Sequence, residues 1–308
     1  MKLSIISPVY EAELIVDELV RRILMEAEKI TSDFEIILIE DGSSDKSWGK
    51  IQENCLKENR VKGIKLSRNF GQHFAISAGL ENATGNFVIV MDCDLQDDPK
   101  YFKLMLAKAK EGNKIVFTLK KERKHSFFKN LKAKIFYKIF NFLVENKKNK
   151  ASEFVGSFSL LSREVVDEYV KLNDYKRHYL MLIRWLGFQS TYIEIEHSSR
   201  FKGNSSYNFK KLLIHAIDGI TSQSDKLLRL TAAVGFFMSF FSLIFAIVII
   251  IRYLIMPFQA GWASLMVLIL FVGGIVILSV GICGIYIGRI FEQTKMRPKY
   301  IIDVKMNI

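Results

Sequence analysis

Short apolar runs alternate with longer amphipathic stretches along the N-terminal third of the chain. Leu3–Ser7, Phe34–Ile39, Val61–Leu66 and Phe87–Met91 are rich in Ile, Leu and Val, the pattern of strands buried on both faces. Pro8 stops the first run, and Gly85 and Pro99 bracket the last. Between them, Glu13–Ile30 places Leu14, Ile15, Leu19, Ile23 and Leu24 near helical spacing, while Ser47–Arg60 and Phe74–Asn82 read as further helices. Strand alternating with helix predicts an α/β fold, a mostly parallel sheet with helices on both faces.

The pattern changes toward the C-terminus. No charged residue occurs between Arg229 and Arg252, nor between Arg252 and Arg289. Each interval exceeds the roughly 20 residues that a helix needs to cross about 30 Å of hydrocarbon. A pair of buried soluble helices is the alternative, and runs this long and apolar argue against it. Two transmembrane helices are predicted, Leu230–Ile251 and Trp262–Gly288. They divide the chain into a domain over residues 1–207, an amphipathic juxtamembrane segment over 208–229, the two spans, and a tail over 289–308.

One stretch between the strands and the spans also has a pattern. His125–Lys150 repeats Phe127, Phe128, Leu131, Ile135, Phe136, Ile139, Phe140 and Leu143 near helical spacing, with Lys129, Lys132, Lys134 and Lys138 among them. Such a helix suits a membrane interface, or else packs on the sheet with its lysines in water; the interfacial reading is favoured. Asn208–Lys226 is a second interfacial candidate.

The 308 residues carry a formal net charge of +12. A basic cytosolic face near anionic lipid explains this, and no nucleic-acid recognition motif accompanies the charge. Cys55, Cys93 and Cys283 form neither a disulfide framework nor a zinc pattern, which suits a reducing compartment. The N-terminus enters a strand after Lys2, too soon for a signal-peptide core, so the first domain is expected in the cytosol. Lys210, Lys211, Lys226 and Arg229 precede the first span, and Arg289, Lys295, Arg297 and Lys299 follow the second, which puts both termini on the cytosolic side of a cell membrane of bacterial inner-membrane type.

The candidate chemistry lies at strand ends. Asp92 and Asp94 follow the run Phe87–Met91, at the edge where open α/β sheets bind ligands. Two carboxylates at one point require compensation, which a hard divalent ion shared with substrate phosphates would supply. Asp97 or Asp98 reads instead as a cap ahead of Pro99. Asp41 likewise follows a strand, with Gly42 free to turn; it can accept hydrogen bonds from a ribose or base, or cap the next helix. His73, His125, His178, His197 and His215 show no ligand spacing.

Four segments in order carry a resemblance: Ser7-Pro8-Val9-Tyr10, Glu40-Asp41-Gly42-Ser43-Ser44-Asp45, Ser67-Arg68-Asn69-Phe70-Gly71-Gln72 and Met91-Asp92-Cys93-Asp94-Leu95-Gln96-Asp97. Together they resemble the nucleotide-sugar-binding (GT-A-like) core of family 2 glycosyltransferases. More narrowly, the chain is similar to the branch that glycosylates polyprenyl phosphates, the dolichol-phosphate mannosyltransferases and bactoprenol glucosyltransferases. Arg200-Phe-Lys-Gly203-Asn-Ser205-Ser-Tyr207 resembles that branch's loop before the membrane region. The resemblance implies an inverting hexosyltransferase with Pro8, Tyr10, Asp41, Asn69 and Gly71 around the nucleotide sugar. It further implies Asp92 near the ribose and diphosphate, Asp94 on Mg²⁺ or Mn²⁺, and Arg200, Lys202 and Ser205 toward phosphates or the acceptor. It leaves room for a homo-oligomer and for a role in cell-envelope glycan or glycolipid modification.

Three departures bear on the chemistry. Glu11 and Ala12 follow the Pro-Val-Tyr turn, where Asn-Glu is usual, and Glu40 stands where the family has a first Asp. Ser157 and Ser159 occupy a segment that usually carries an acidic residue and an arginine. A hydroxyl acceptor needs a general base near neutral pH, with Glu153 and Asp97 as the remaining candidates. A phosphate monoester, with a second pKa near ~6, is already ionised and needs none. The missing acid therefore favours a phosphate acceptor. The rival readings are a transferase acting on a lipid or sugar hydroxyl and a non-catalytic membrane protein that keeps the fold.

Overall fold

The computed structural model describes residues 1–120, 155–175, 177–196, 226–255 and 261–308. These divide between two compact units, the first holding those of Met1–Tyr137, Lys148–Tyr207 and Arg297–Ile308, the second those of Lys138–Lys147 and Asn208–Met296.

The first unit is built on one eight-stranded sheet. Its strands are β1 (Leu3–Val9), β2 (Phe34–Glu40), β3 (Val61–Leu66), β4 (Phe87–Val90), β5 (Ile115–Lys120), β6 (Val155–Ser162), β7 (Ser190–Ile195) and β8 (Ile302–Met306), in the order β7-β5-β6-β4-β1-β2-β3-β8. β1 pairs parallel with β2 and β4, β2 with β3, and β5 with β7; β6 runs antiparallel to β4 and β5, and β8 to β3. The mostly parallel expectation holds, with antiparallel pairs inserted at β6 and β8.

Helices cover both faces. α1 (Val16–Glu28), α2 (Ser47–Lys57) and α4 (Phe102–Lys110) bury Leu19, Ile23, Ile51, Phe102 and Met105 on one side. α3 (Gln72–Asn82), α5 (Arg163–Lys171) and α6 (Tyr179–Trp185) bury Ala75, Ile76, Val166, Tyr169 and Ile183 on the other. β1 and β2 are buried along their whole length, which is why they read as unbroken apolar runs.

β1 does not stop at Pro8. It runs on to Val9, in register with Glu40 of β2, whereas its pairing with β4 ends at Ile6. The Ile6 carbonyl points to the β4 side, accepting the Met91 N–H at 3.0 Å, and the Val9 carbonyl to the β2 side, accepting the Asp41 N–H at 3.0 Å. By alternation Pro8 faces the β4 side, beyond the last β4 rung, so its missing N–H leaves no ladder bond unmade.

Opposite the strands' carboxyl ends, Glu35 ties four strand starts together. Its buried carboxylate accepts from Ser4 Oγ at 2.6 Å, from Thr84 N and Oγ1 at 2.7 and 2.9 Å, and pairs with Lys62 Nζ at 2.8 Å. Burial alone would raise its pKa, but these donors prevail and hold it at about 2.

In the second unit, α7 (Lys226–Ile255) and α8 (Trp262–Thr294) are 30 and 33 residues long. Within them Lys226–Phe245 and Phe271–Thr294 are long and apolar enough to cross a membrane. Phe236, Phe237, Phe240, Phe241, Ile277 and Ile287 are exposed along them.

The segment read from sequence as a tail has an end role in the first unit. β8 closes the β3 edge, Asn307 Nδ2 donates to the carbonyls of Cys55 and Val61 at 2.8 Å each, and Tyr300 bonds Glu81. The chain thus leaves the first unit before α7 and rejoins its sheet after α8.

Candidate functional site

The order of strands reverses at β1: β2 and β3 lie on one side of it, β4 on the other. Ligands in open α/β sheets bind outside the carboxyl ends at such a switch point. Asp41 sits just past β2 and Asp92 just past β4, flanking the end of β1 with Pro8 and Tyr10.

Asp41 is not a helix cap. Its Oδ1 accepts the Phe70 N–H at 2.8 Å and its Oδ2 the Gly71 N–H at 2.9 Å, so it holds the loop ahead of α3. The start of α2 is held instead by Asp45, whose Oδ1 accepts from Ser47 N at 3.0 Å and Oγ at 2.6 Å. Burial pushes the Asp41 carboxyl up to about 6, against the two amide donors and with the Glu40 charge adding to the rise. Gly42 lets the loop lie this close: its φ is +68°, and a Cβ there would fall 2.2 Å from the Asn69 nitrogen. Gly71, at φ +101°, turns the chain into α3. The exposed Tyr10 hydroxyl shares hydrogen bonds with the side chains of Glu11 and Asn69, and the Glu11 charge pushes its pKa up.

The departures beside Tyr10 have a structural counterpart. Glu11 N donates to Ser43 Oγ at 3.1 Å, Ala12 N to Ser47 Oγ at 2.9 Å, and Lys46 N to Glu13 Oε2 at 2.8 Å. The turn after β1 is thereby latched to the turn after β2.

The pair Asp92 and Asp94 lies in a turn, because β4 ends at Val90, one residue earlier than the apolar run suggests. Strand pleating therefore does not set their relation. Leu95 adopts a left-handed φ of 59° with its side chain buried, a strain on the order of 1–3 kcal/mol. That reversal brings the Gln96 N–H to Asp94 Oδ1 at 3.1 Å. Asp92 Oδ1 accepts from Gln72 Nε2 at 2.7 Å and from Ser157 Oγ at 2.7 Å. Cys93 packs against the core, and burial, with the charges of Asp92 and Asp94 adding to it, pushes its thiol up to about 12, so carboxylate oxygen is what this turn offers a cation.

Asp98 is the cap: it accepts the Lys100 N–H at 3.0 Å ahead of a single 3₁₀ turn, Pro99–Tyr101. Asp97 is buried at 1% exposure, which removes it as an accessible base. Pro8, Tyr10, Asp41, Asn69 and Gly71 are brought together, and Asp92 is joined to them through Gln72. Arg200, Lys202, Ser205, Glu153, the stretch His125–Lys150 and residues 208–225 lie outside the described residues. Gln72 and Ser157 are the contacts that sequence reasoning missed, although Gln72 ends one of the segments it singled out. Among the described residues no group of three or more His, Cys, Asp or Glu gathers as a ready-made metal cluster.

Comparison with known proteins places the chain in a family. The family model described as glycosyl transferase family 2 matches residues 4–170. An uncharacterized glycosyltransferase, YkcC, of Bacillus subtilis is 36% identical over 307 residues, covering 99% of this chain and 94% of the relative. A bactoprenol glucosyl transferase of Shigella phage SfV is 34% identical over 305 residues, 98% of each chain. Among solved structures, TarS of S. aureus in complex with UDP-GlcNAc covers 72% of this chain and 66% of its own, at 18% identity and a TM-score of 0.49.

Proposed function

Because the chain belongs to glycosyl transferase family 2, we propose that it binds a nucleotide diphosphate sugar over the carboxyl ends of β1, β2 and β4 and transfers the sugar, with inversion, to a polyprenyl phosphate. The observation that carries the donor site is the pair of carboxylate clusters flanking β1. Asp41 braces the loop of Asn69 and Gly71, which would take the nucleoside, and Asp92 and Asp94 would take the diphosphate.

The residues present fit a divalent ion. Asp94 and Asp92 offer hard oxygen ligands at one turn, and a donor diphosphate would complete the shell, as Mg²⁺ or Mn²⁺ sites commonly require. Asp94 would hold the ion, whose charge offsets that developing on the leaving diphosphate. Asp92 would meet the ribose and diphosphate, and by the family resemblance Arg200 and Lys202 would meet phosphate oxygens. An ionised phosphate oxygen of the acceptor attacks the anomeric carbon, the bond to the nucleotide diphosphate breaks, and the sugar leaves bonded to the acceptor phosphate.

Ser157 supports the choice of acceptor. Its hydroxyl donates to Asp92 and is no base, and Asp97 is buried, so neither position offers a neutral hydroxyl acceptor the accessible base it needs. The relative named a bactoprenol glucosyl transferase supports the same acceptor class. The exposed apolar side chains of α7 and α8 suit hydrocarbon better than water, and the return of the chain to the sheet through β8 suits an even number of crossings, with the first unit on the cytosolic face.

The test is product formation by the purified full chain from a panel of nucleotide sugars, with undecaprenyl phosphate set against lipid and sugar hydroxyl acceptors. Transfer to the phosphate alone is expected. Transfer to hydroxyls alone, or none with any donor, would refute the reading.

A further inference from the structure

We propose that Gln72 and Ser157 are positioning residues that set the Asp92 carboxylate for the donor diphosphate and its cation; the inference rests on the donor site proposed above. The two side chains come from separate elements, the first residue of α3 and the middle of β6, 20 and 65 residues from Asp92 in sequence. Both reach the same oxygen, Oδ1, at 2.7 Å. A carboxylate oxygen has two lone pairs in its plane, so two donors at this distance occupy them and fix the plane of the group. A ligand therefore meets an Asp92 carboxylate whose orientation is set before it arrives.

Each donor is itself held. Gln72 follows Gly71, whose N–H is bound by Asp41 Oδ2, so the loop that delivers Gln72 is anchored at the nucleoside end of the site. On β6, Ser159 Oγ donates to the Ser157 carbonyl at 2.8 Å and meets the fully buried Tyr179 hydroxyl at 2.7 Å. Ser157 is thus the link between a rigid buried tyrosine and an acid at the site. A carboxylate at this position would repel Asp92; the hydroxyl donates to it.

The experiment uses the full chain in detergent, with UDP and GDP as probes, titrated with and without Mn²⁺. Ser157→Ala and Gln72→Ala are expected to weaken Mn²⁺-dependent binding by roughly 10- to 100-fold, the usual cost of losing a group that orients a metal-site ligand. Ser157→Thr, which keeps the hydroxyl, should restore it. Binding without metal, carried by the Asp41 end, should not change. Unaltered Mn²⁺-dependent affinity in both alanine variants, beside a wild type that binds, would overturn the inference and leave the donor site standing. Equal loss with and without metal, accompanied by a lowered Tm, would mean that the two residues hold the fold rather than the carboxylate, which also overturns it. No binding of either probe by the wild type, with Mn²⁺ or Mg²⁺, would remove the donor site and this inference with it.

Discussion

Asp41 holds the Gly71 amide at 2.9 Å across 30 residues of sequence, and it does so with a carboxyl whose pKa burial has raised from 3.8 to about 6. Between these two values the folded protein keeps a proton that the unfolded chain releases. Stability from this group is therefore full below about pH 4 and falls as pH rises toward about 6. Asp41→Asn cannot titrate and turns an amide toward one of the two N–H donors. The variant should lose this pH dependence and bind UDP or GDP more weakly. Denaturant unfolding of both proteins from pH 4 to 7 checks the first point; an identical profile would exclude Asp41 as its source.

Asp94→Asn should abolish transfer while the protein stays folded and membrane-bound. The amide keeps the acceptor that meets Gln96 N–H but loses the charge that a cation needs. Near-normal turnover of the variant with Mn²⁺ or Mg²⁺ would remove Asp94 from the metal role. Full activity of the wild type after exhaustive chelation would remove the metal.

Glu35 stands at the far end of the strands from the site, so its loss should act on stability and spare the chemistry. Glu35→Ala leaves Lys62 without its buried partner and should cost roughly 3–5 kcal/mol. Because the folded carboxyl lies at about 2, its contribution is present above the ordinary value of 4.5 and fades as pH drops toward 2. Chemical unfolding at pH 7 and pH 3 should show the gap between wild type and variant narrowing in acid. A constant gap would contradict the assignment.

Reporters fused at Met1 and Ile308 should both report the cytosol, and one inserted near Gln259 the opposite side. Different locations for the two termini would rule out the paired spans.

The parallel core was readable because its strands are buried on both faces, leaving runs such as Ile36–Ile39 with no polar interruption. Asp41 and Asp92 were readable for the same reason: an acid at the end of such a run marks the carboxyl edge of the sheet. Local pattern could not reveal their partners. Ser157 and Gln72 reach Asp92 across 65 and 20 residues, and nothing in a serine's immediate neighbours states which distant carboxylate it serves. Pro8 misled as a stop signal, since a strand with a one-sided neighbour at its end tolerates a residue without an N–H. β8 escaped notice because it is an edge strand, with Asp303, Val304 and Lys305 all exposed, and an edge this polar resembles a tail.

β8 follows both long apolar helices in the chain, so a ribosome delivers it after them. Until it emerges, the rim of β3 presents open backbone donors and acceptors, and by then both long apolar helices have already been synthesised. If those helices enter a bilayer as a hairpin, the five residues of β8 arrive on the side where β3 waits and the rim closes. If only one of them crosses, the strand is stranded behind the lipid, and the rim stays available to a neighbouring chain's strand. A chain ending at Thr294 should accordingly aggregate where the full one does not. On that reading, closure of the sheet edge at β3 would depend on how the two long apolar helices are threaded.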